Sequence, residues 1–120
     1  MRPAVLSISE ERVIGPIRNT VLAHAGYGVI PVPTAKSALK ILRRRHVCAM
    51  VIASSVPRKE RQMLCLEGKR RGVASVVLDS YGQLNSTQEH EVYFNPLDGP
   101  DAFLKVLAAT VRREHQMCLG

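Results

Sequence analysis

The positions where this chain's apolar strand-like runs end are Ser9, Glu10, Ala53, Ser54, Asp79, Ser80 and Asn95. Phosphoryl transfer to a carboxylate requires a nucleophile and a divalent ion that neutralises charge between attacking and leaving oxygens. Such an ion prefers clustered hard oxygen ligands. These positions offer mostly hydroxyls, an amide and a methyl group, and Glu10, Glu11 and Asp79 are the carboxylates expected to reach that side. Asp79, beside Ser80 and Gly82, also has the composition of a turn. Ser54 and Ser55 are hydroxyl nucleophiles only if a base lies within hydrogen-bond reach. His24, His46 and His90 are expected on the opposite rim and His115 in the last helix or the tail, so no hydrolase triad assembles. No GxGxxG or P-loop pattern follows any strand, which leaves phosphate cradling without support.

The elements that position these residues follow from short apolar runs separated by stretches of helical composition. The runs are Ala4 to Ile8, Val29 to Val32, Val47 to Ala53, Val73 to Leu78 and Val92 to Phe94. Strands alternating with helices imply a parallel sheet whose ligand crevice lies beyond the strands' carboxyl ends. Pro31 confines the second strand to a sheet edge, as a doubly wound order 2-1-3-4-5 requires. Val47 to Ala53 is apolar without alternation, the pattern of a strand buried on both faces.

The helices are marked by caps and periodicity. Ser9 is the expected cap of a first helix striped by Ile14, Ile17, Val21, Leu22 and Ala25, with Pro16 near its start and Gly26 as its left-handed stop. Thr34 caps a second helix with Ala35, Ala38, Leu39 and Leu42 inward, ending in Arg43, Arg44, Arg45 and His46. Pro57 breaks the chain before a third helix, Arg58 to Arg71, whose apolar side is read as Met63, Leu64, Cys65 and Leu66. Gln83 to His90 holds one strong apolar residue, Leu84, so a fourth helix is expected to be shortened or missing. Pro100 opens the final helix, striped by Phe103, Leu104, Leu107, Ala108 and Val111. Residues 1–114 are read as one α/β domain and 115–120 as a C-terminal tail.

With 120 residues, 46% hydrophobic and 22% charged, the chain is long enough to bury a core in a single domain without staples. Its longest apolar run falls far short of the ~20 residues of a membrane span, and its first residues lack an apolar leader, so a cytoplasmic location is expected. Three cysteines without a CxxC pair argue against a disulfide framework or zinc knuckle, and Cys48 and Cys65 read as core residues. No cofactor and no metal are expected.

The order of elements, Val5-Leu6-Ser7-Ile8 at strand one, Gly26, Ser37-Ala38-Leu39, Val51 to Pro57 and Asn95-Pro96 together resemble the response-regulator receiver domain over about Ala4 to Arg113. The resemblance implies a CheY-like, three-layer flavodoxin-like α/β fold with a five-stranded parallel sheet. It also implies roles that this chain's residues do not fill. Ser9 and Glu10 fall on the family's acidic pair, Ala53 (or Ser54 under a one-residue shift) on the phospho-accepting aspartate, Asp79 or Ser80 on the hydroxyl position, and Asn95 on the lysine. Val92 occupies the switch aromatic, with Tyr93 next to it. The expectation is a degenerate, phosphorylation-independent module and not an enzyme, acting through a protein partner or through self-association as a homodimer.

A second expectation comes from charge. Seventeen Lys and Arg against ten Asp and Glu give a net charge of +7. Arg43, Arg44, Arg45, Lys69, Arg70, Arg71, Arg112 and Arg113 are expected at helix ends on the rim opposite the crevice. They either offset helix dipoles or form a basic pole for nucleic acid or an acidic partner. Five aromatic residues, two Phe and three Tyr, leave few parts for stacking single-stranded bases.

Overall fold

Five parallel strands form one sheet in the order β2-β1-β3-β4-β5. In the computed structural model the chain runs β1 (Ala4–Ile8), α1 (Ile14–His24), β2 (Gly28–Val32), α2 (Ala35–Arg44), β3 (Ala49–Ile52), α3 (Arg58–Arg70), β4 (Ala74–Leu78), β5 (Val92–Phe94) and α4 (Pro100–Leu119). The structure describes residues 3–10, 14–78, 92–94 and 99–119. The expected shortening or loss of a helix after β4 falls on 79–91, outside the described residues.

The sheet is covered on both faces, and strand alternation sorts its residues between two cores. Leu6, Ile8, Met50, Ile52 and Val77 point to one face, where α2 contributes Ala35, Ala38 and Leu42 and α3 contributes Leu64 and Cys65. Val5, Ala49, Val51, Ala74, Val76 and Leu78 point to the other, against Leu22 of α1 and Phe103 and Leu107 of α4. Leu6, Leu22, Leu64 and Leu107 are fully buried, and each such side chain stabilises the fold by about 1.5–3 kcal/mol relative to exposure. Two apolar faces on one sheet make the three-layer arrangement the way to keep both dry.

Local chemistry sets the ends of the elements. The Thr34 hydroxyl accepts from the Ser37 N–H at 3.2 Å, capping α2 as expected. Gly26 follows α1 at φ 98° and Gly72 follows α3 at φ 69°, left-handed positions that glycine occupies without penalty. Pro31 sits in the edge strand opposite Ser7, and Pro100 opens α4.

Several sequence expectations are corrected. The cap expected at Ser9 involves residues 11–13, outside the described residues; the Ser9 N–H itself donates to the Val32 carbonyl at 3.1 Å. Ile17, Met63 and Leu66, read as inward, are 61%, 50% and 63% exposed, because α1 and α3 seat on Leu22 and on Leu64 and Cys65 instead. α2 ends at Arg44, with Arg45 its extended C-cap. β3 is shorter than its apolar run and β4 begins one residue later than Val73. α4 runs from Pro100 through Leu119. No helix among the described residues is long and apolar enough to cross a membrane.

Candidate functional site

The carboxyl edge of the sheet is built from strand ends held by main-chain bonds. Ile8 pairs with Ile52, so Ser9 and Ala53 follow at matching heights on neighbouring strands. The Ala53 N–H donates to the Ile8 carbonyl at 3.0 Å, and the Val56 N–H donates back to the Ala53 carbonyl at 3.1 Å. Ala53 therefore belongs to the end of the sheet, whereas Ser54 and Ser55 form the exposed turn that follows. In this geometry Ala53 stands at the tip of β3 and Ser54 in the turn beyond it. Ala53 is completely buried and ends in a methyl group.

Of the other expected crevice residues, Glu10 is exposed beyond β1, and Asp79, Ser80 and Asn95 lie outside the described residues. A small cavity of about 250 Å³ lies between the ends of β1 and β2 and α1, lined by Ser7, Ser9, Pro16, Asn19, Pro31, Val32 and Pro33. Sequence reasoning missed Ser7 and Asn19; an interior strand serine in an apolar run was the available signal. Ser7 Oγ and Asn19 Oδ1 are buried without a protein hydrogen-bond partner. These neutral groups, with the Glu10 carboxylate, do not make the clustered anionic oxygen set that magnesium prefers. Among the described residues no three His, Cys, Asp or Glu side chains gather in a way that could hold a metal ion.

The opposite edge carries the basic residues. Leu42, Arg43, Arg44, Arg45, His46, Val47, Arg71 and Val73 line a groove of about 400 Å³ between the ends of α2 and α3. The extended backbone of Arg45 turns the chain out of α2, so three successive arginines and His46 border one depression. Arg71 braces the groove: its Nε donates to Glu67 Oε1 at 2.8 Å and its Nη1 to the Leu42 carbonyl at 3.1 Å. Arg70 Nη1 reaches Glu67 Oε2 at 3.4 Å. The Arg71 hydrogen bond, with the charges of Arg70, Arg71 and Arg43, holds the Glu67 carboxyl below the usual carboxylate range.

Arg112 is not part of this groove. It lies near Tyr27, whose hydroxyl is pushed above its ordinary range by burial and by the nearby Cys48, an effect Arg112 opposes. Burial also raises the Cys48 thiol. Arg112 and Arg113 fall inside α4 and not at its end, so a dipole-offsetting role does not apply to them.

No protein-family model matches the chain, and no curated protein matches it. Solved structures do. The signal receiver domain of an HD domain-containing protein from Pseudomonas fluorescens superposes with a TM-score of 0.80 at 18% identity, covering 97% of this chain and 91% of that one. A response regulator receiver protein from Sinorhizobium medicae gives 0.82 at 12% identity, covering 94% and 97%. The receiver domain of a sensor histidine kinase from Pseudomonas aeruginosa, which has a magnesium ion coordinated in its active site cleft, gives 0.77 at 14% identity, covering 92% and 98%. The chain thus has the flavodoxin-like α/β fold of CheY-like response-regulator receiver domains.

Proposed function

We propose that this chain is a receiver-fold signalling module that works without phosphorylation, by docking to a protein. The observation that supports this most directly is Ala53: the tip of β3 is a buried methyl group tied to Ile8, with no atom there able to attack phosphorus. An acceptor needs both a nucleophilic oxygen and an ion to neutralise the transferring group. Ala53 supplies no such oxygen, and Ser9 and Ala53 bring no second carboxylate beside Glu10 to hold the ion.

The α3 surface is suited to the docking role. Met63 and Leu66 stand one turn apart and largely exposed, flanked by Lys59, Lys69 and Arg70. Apolar side chains that a partner can desolvate, rimmed by charge, are the features that concentrate binding energy in protein interfaces.

Two measurements test the proposal. Incubation with acetyl phosphate and magnesium, followed by intact-mass analysis, is expected to leave the protein at its unmodified mass; a phosphoryl adduct would refute phosphorylation independence. Affinity capture from the native host should recover a specific protein with the wild type and lose it with Leu66→Glu, and equal capture by both would remove α3 from the account.

A further inference from the structure

We infer that the groove between the ends of α2 and α3 binds the phosphate backbone of duplex nucleic acid. This surface lies opposite the carboxyl edge of the sheet and adjoins the α3 apolar face, with which it shares Lys69 and Arg70. Arg43, Arg44, Arg45 and Arg71 line the groove, with Lys69 and Arg70 exposed beside it. The described carboxylate at this end is Glu67, which is already engaged by Arg70 and Arg71. Neutralising the last turns of α2 and α3 takes only about half a unit charge per helix. The concentration of cations greatly exceeds that need, and the excess must be met by an anion or by water.

The kind of anion follows from what else the groove contains. Its apolar members, Leu42, Val47 and Val73, are 3%, 1% and 3% exposed, so they form a floor and offer no anchor. A protein partner would pair its arginine contacts with desolvated apolar or aromatic anchors, and the exposed large hydrophobics among the described residues, Ile17, Met63 and Leu66, lie elsewhere. Single-stranded nucleic acid needs a platform of aromatic faces on which successive bases stack, and His46 is the one ring among the described residues lining the groove, with no Phe, Tyr or Trp. A duplex backbone needs neither. Its phosphates are bound by cation pairing and counterion release, and arginine's planar fork matches phosphate oxygens in a bidentate manner. Arg71, fixed by Glu67 and the Leu42 carbonyl, holds the two helix ends in register and so orders the arginines around the depression.

The test is fluorescence anisotropy of a short labelled DNA duplex titrated with the full chain at several salt concentrations. If Arg43, Arg44 and Arg45 each neutralise a phosphate, affinity falls about 40-fold between about 50 and 200 mM salt. R43Q/R44Q/R45Q is expected to reduce the slope of log affinity against log salt by about three, as each lost phosphate contact removes about one. K36Q/R58Q/K105Q removes the same number of exposed positive charges away from the groove and should leave the slope unchanged. Thermal melting of both variants checks that they fold. The inference is overturned if the duplex fails to bind at low salt, if the two triple variants weaken binding equally, or if polyglutamate or a single-stranded oligonucleotide binds as tightly as the duplex.

Discussion

The Ala53 N–H donates to the Ile8 carbonyl at 3.0 Å, which places a methyl group at the tip of β3 level with Ser9 on β1. Because Ala53 is fully covered, Ala53→Asp puts a carboxyl group into a site shaped for a methyl. Burying the carboxyl group is expected to cost about 1–3 kcal/mol of stability when it is protonated and more when it is charged. Burial raises the folded pKa of such an aspartate above its unfolded value, so the deficit is smallest in acid and grows as pH rises through the carboxylate range. Urea denaturation of the variant across that range checks both the size and the sign.

Gly68 allows α3 to lie close on the sheet. A Cβ at this position meets Met50 Cε at 2.7 Å, Ser75 Oγ at 3.1 Å and the Val73 carbonyl at 3.3 Å. Alanine favours a helix by up to about 1 kcal/mol over glycine, but overpacking a closed core costs about 1–3 kcal/mol. Met50 is fully buried, so its end has little room to yield. Gly68→Ala is therefore expected to destabilise the protein despite its better propensity. Met50→Ala in the same chain should cost less than the sum of the single changes, a non-additivity that a double-mutant cycle measures.

The Glu67–Arg71 brace gives a pH signature. The Glu67 carboxyl is held below the usual range in the folded protein, first by the Arg71 hydrogen bond. Its contribution is thus fully present above the unfolded carboxylate pKa and disappears as pH falls through the lowered folded value. The stability difference between wild type and Glu67→Gln should be constant near neutrality and shrink toward zero in acid. Paired chemical denaturations at several pH values read it directly, and high salt should reduce it.

Cys48 is expected to react slowly. Partial burial raises its thiol, and the thiolate is the nucleophile. Iodoacetamide labelling followed by peptide mass analysis should show the modification of Cys48 rising with pH at higher values than for a free cysteine.

The strand runs, the glycine stops after α1 and α3, the Thr34 cap and the proline at the head of α4 were legible in the sequence because each depends on a local rule. The facing of α3 was not. Met63, Leu64, Cys65 and Leu66 are four consecutive apolar residues that sweep about 300° of a helix, so periodicity could not choose among them. The close approach at Gly68, one turn after Leu64, selects the buried side. The Arg71 brace was illegible for a related reason: it joins residues 29 apart through a main-chain carbonyl that has no sequence signature. The continuation of α4 had a signal in the absence of glycine and proline from Asp101 to Leu119. At the candidate site, the end of the apolar run at Ala53 was legible, whereas the bond from its N–H to the Ile8 carbonyl joins residues 45 apart and has no sequence signature.

The most direct test of a receiver fold without acceptor chemistry is amide NMR of the labelled protein titrated with beryllofluoride and magnesium. The account predicts that the Ser9, Ala53 and Ser54 resonances move no more than they do with magnesium and fluoride alone. Saturable, stoichiometric shifts at those amides that require all three components would contradict it.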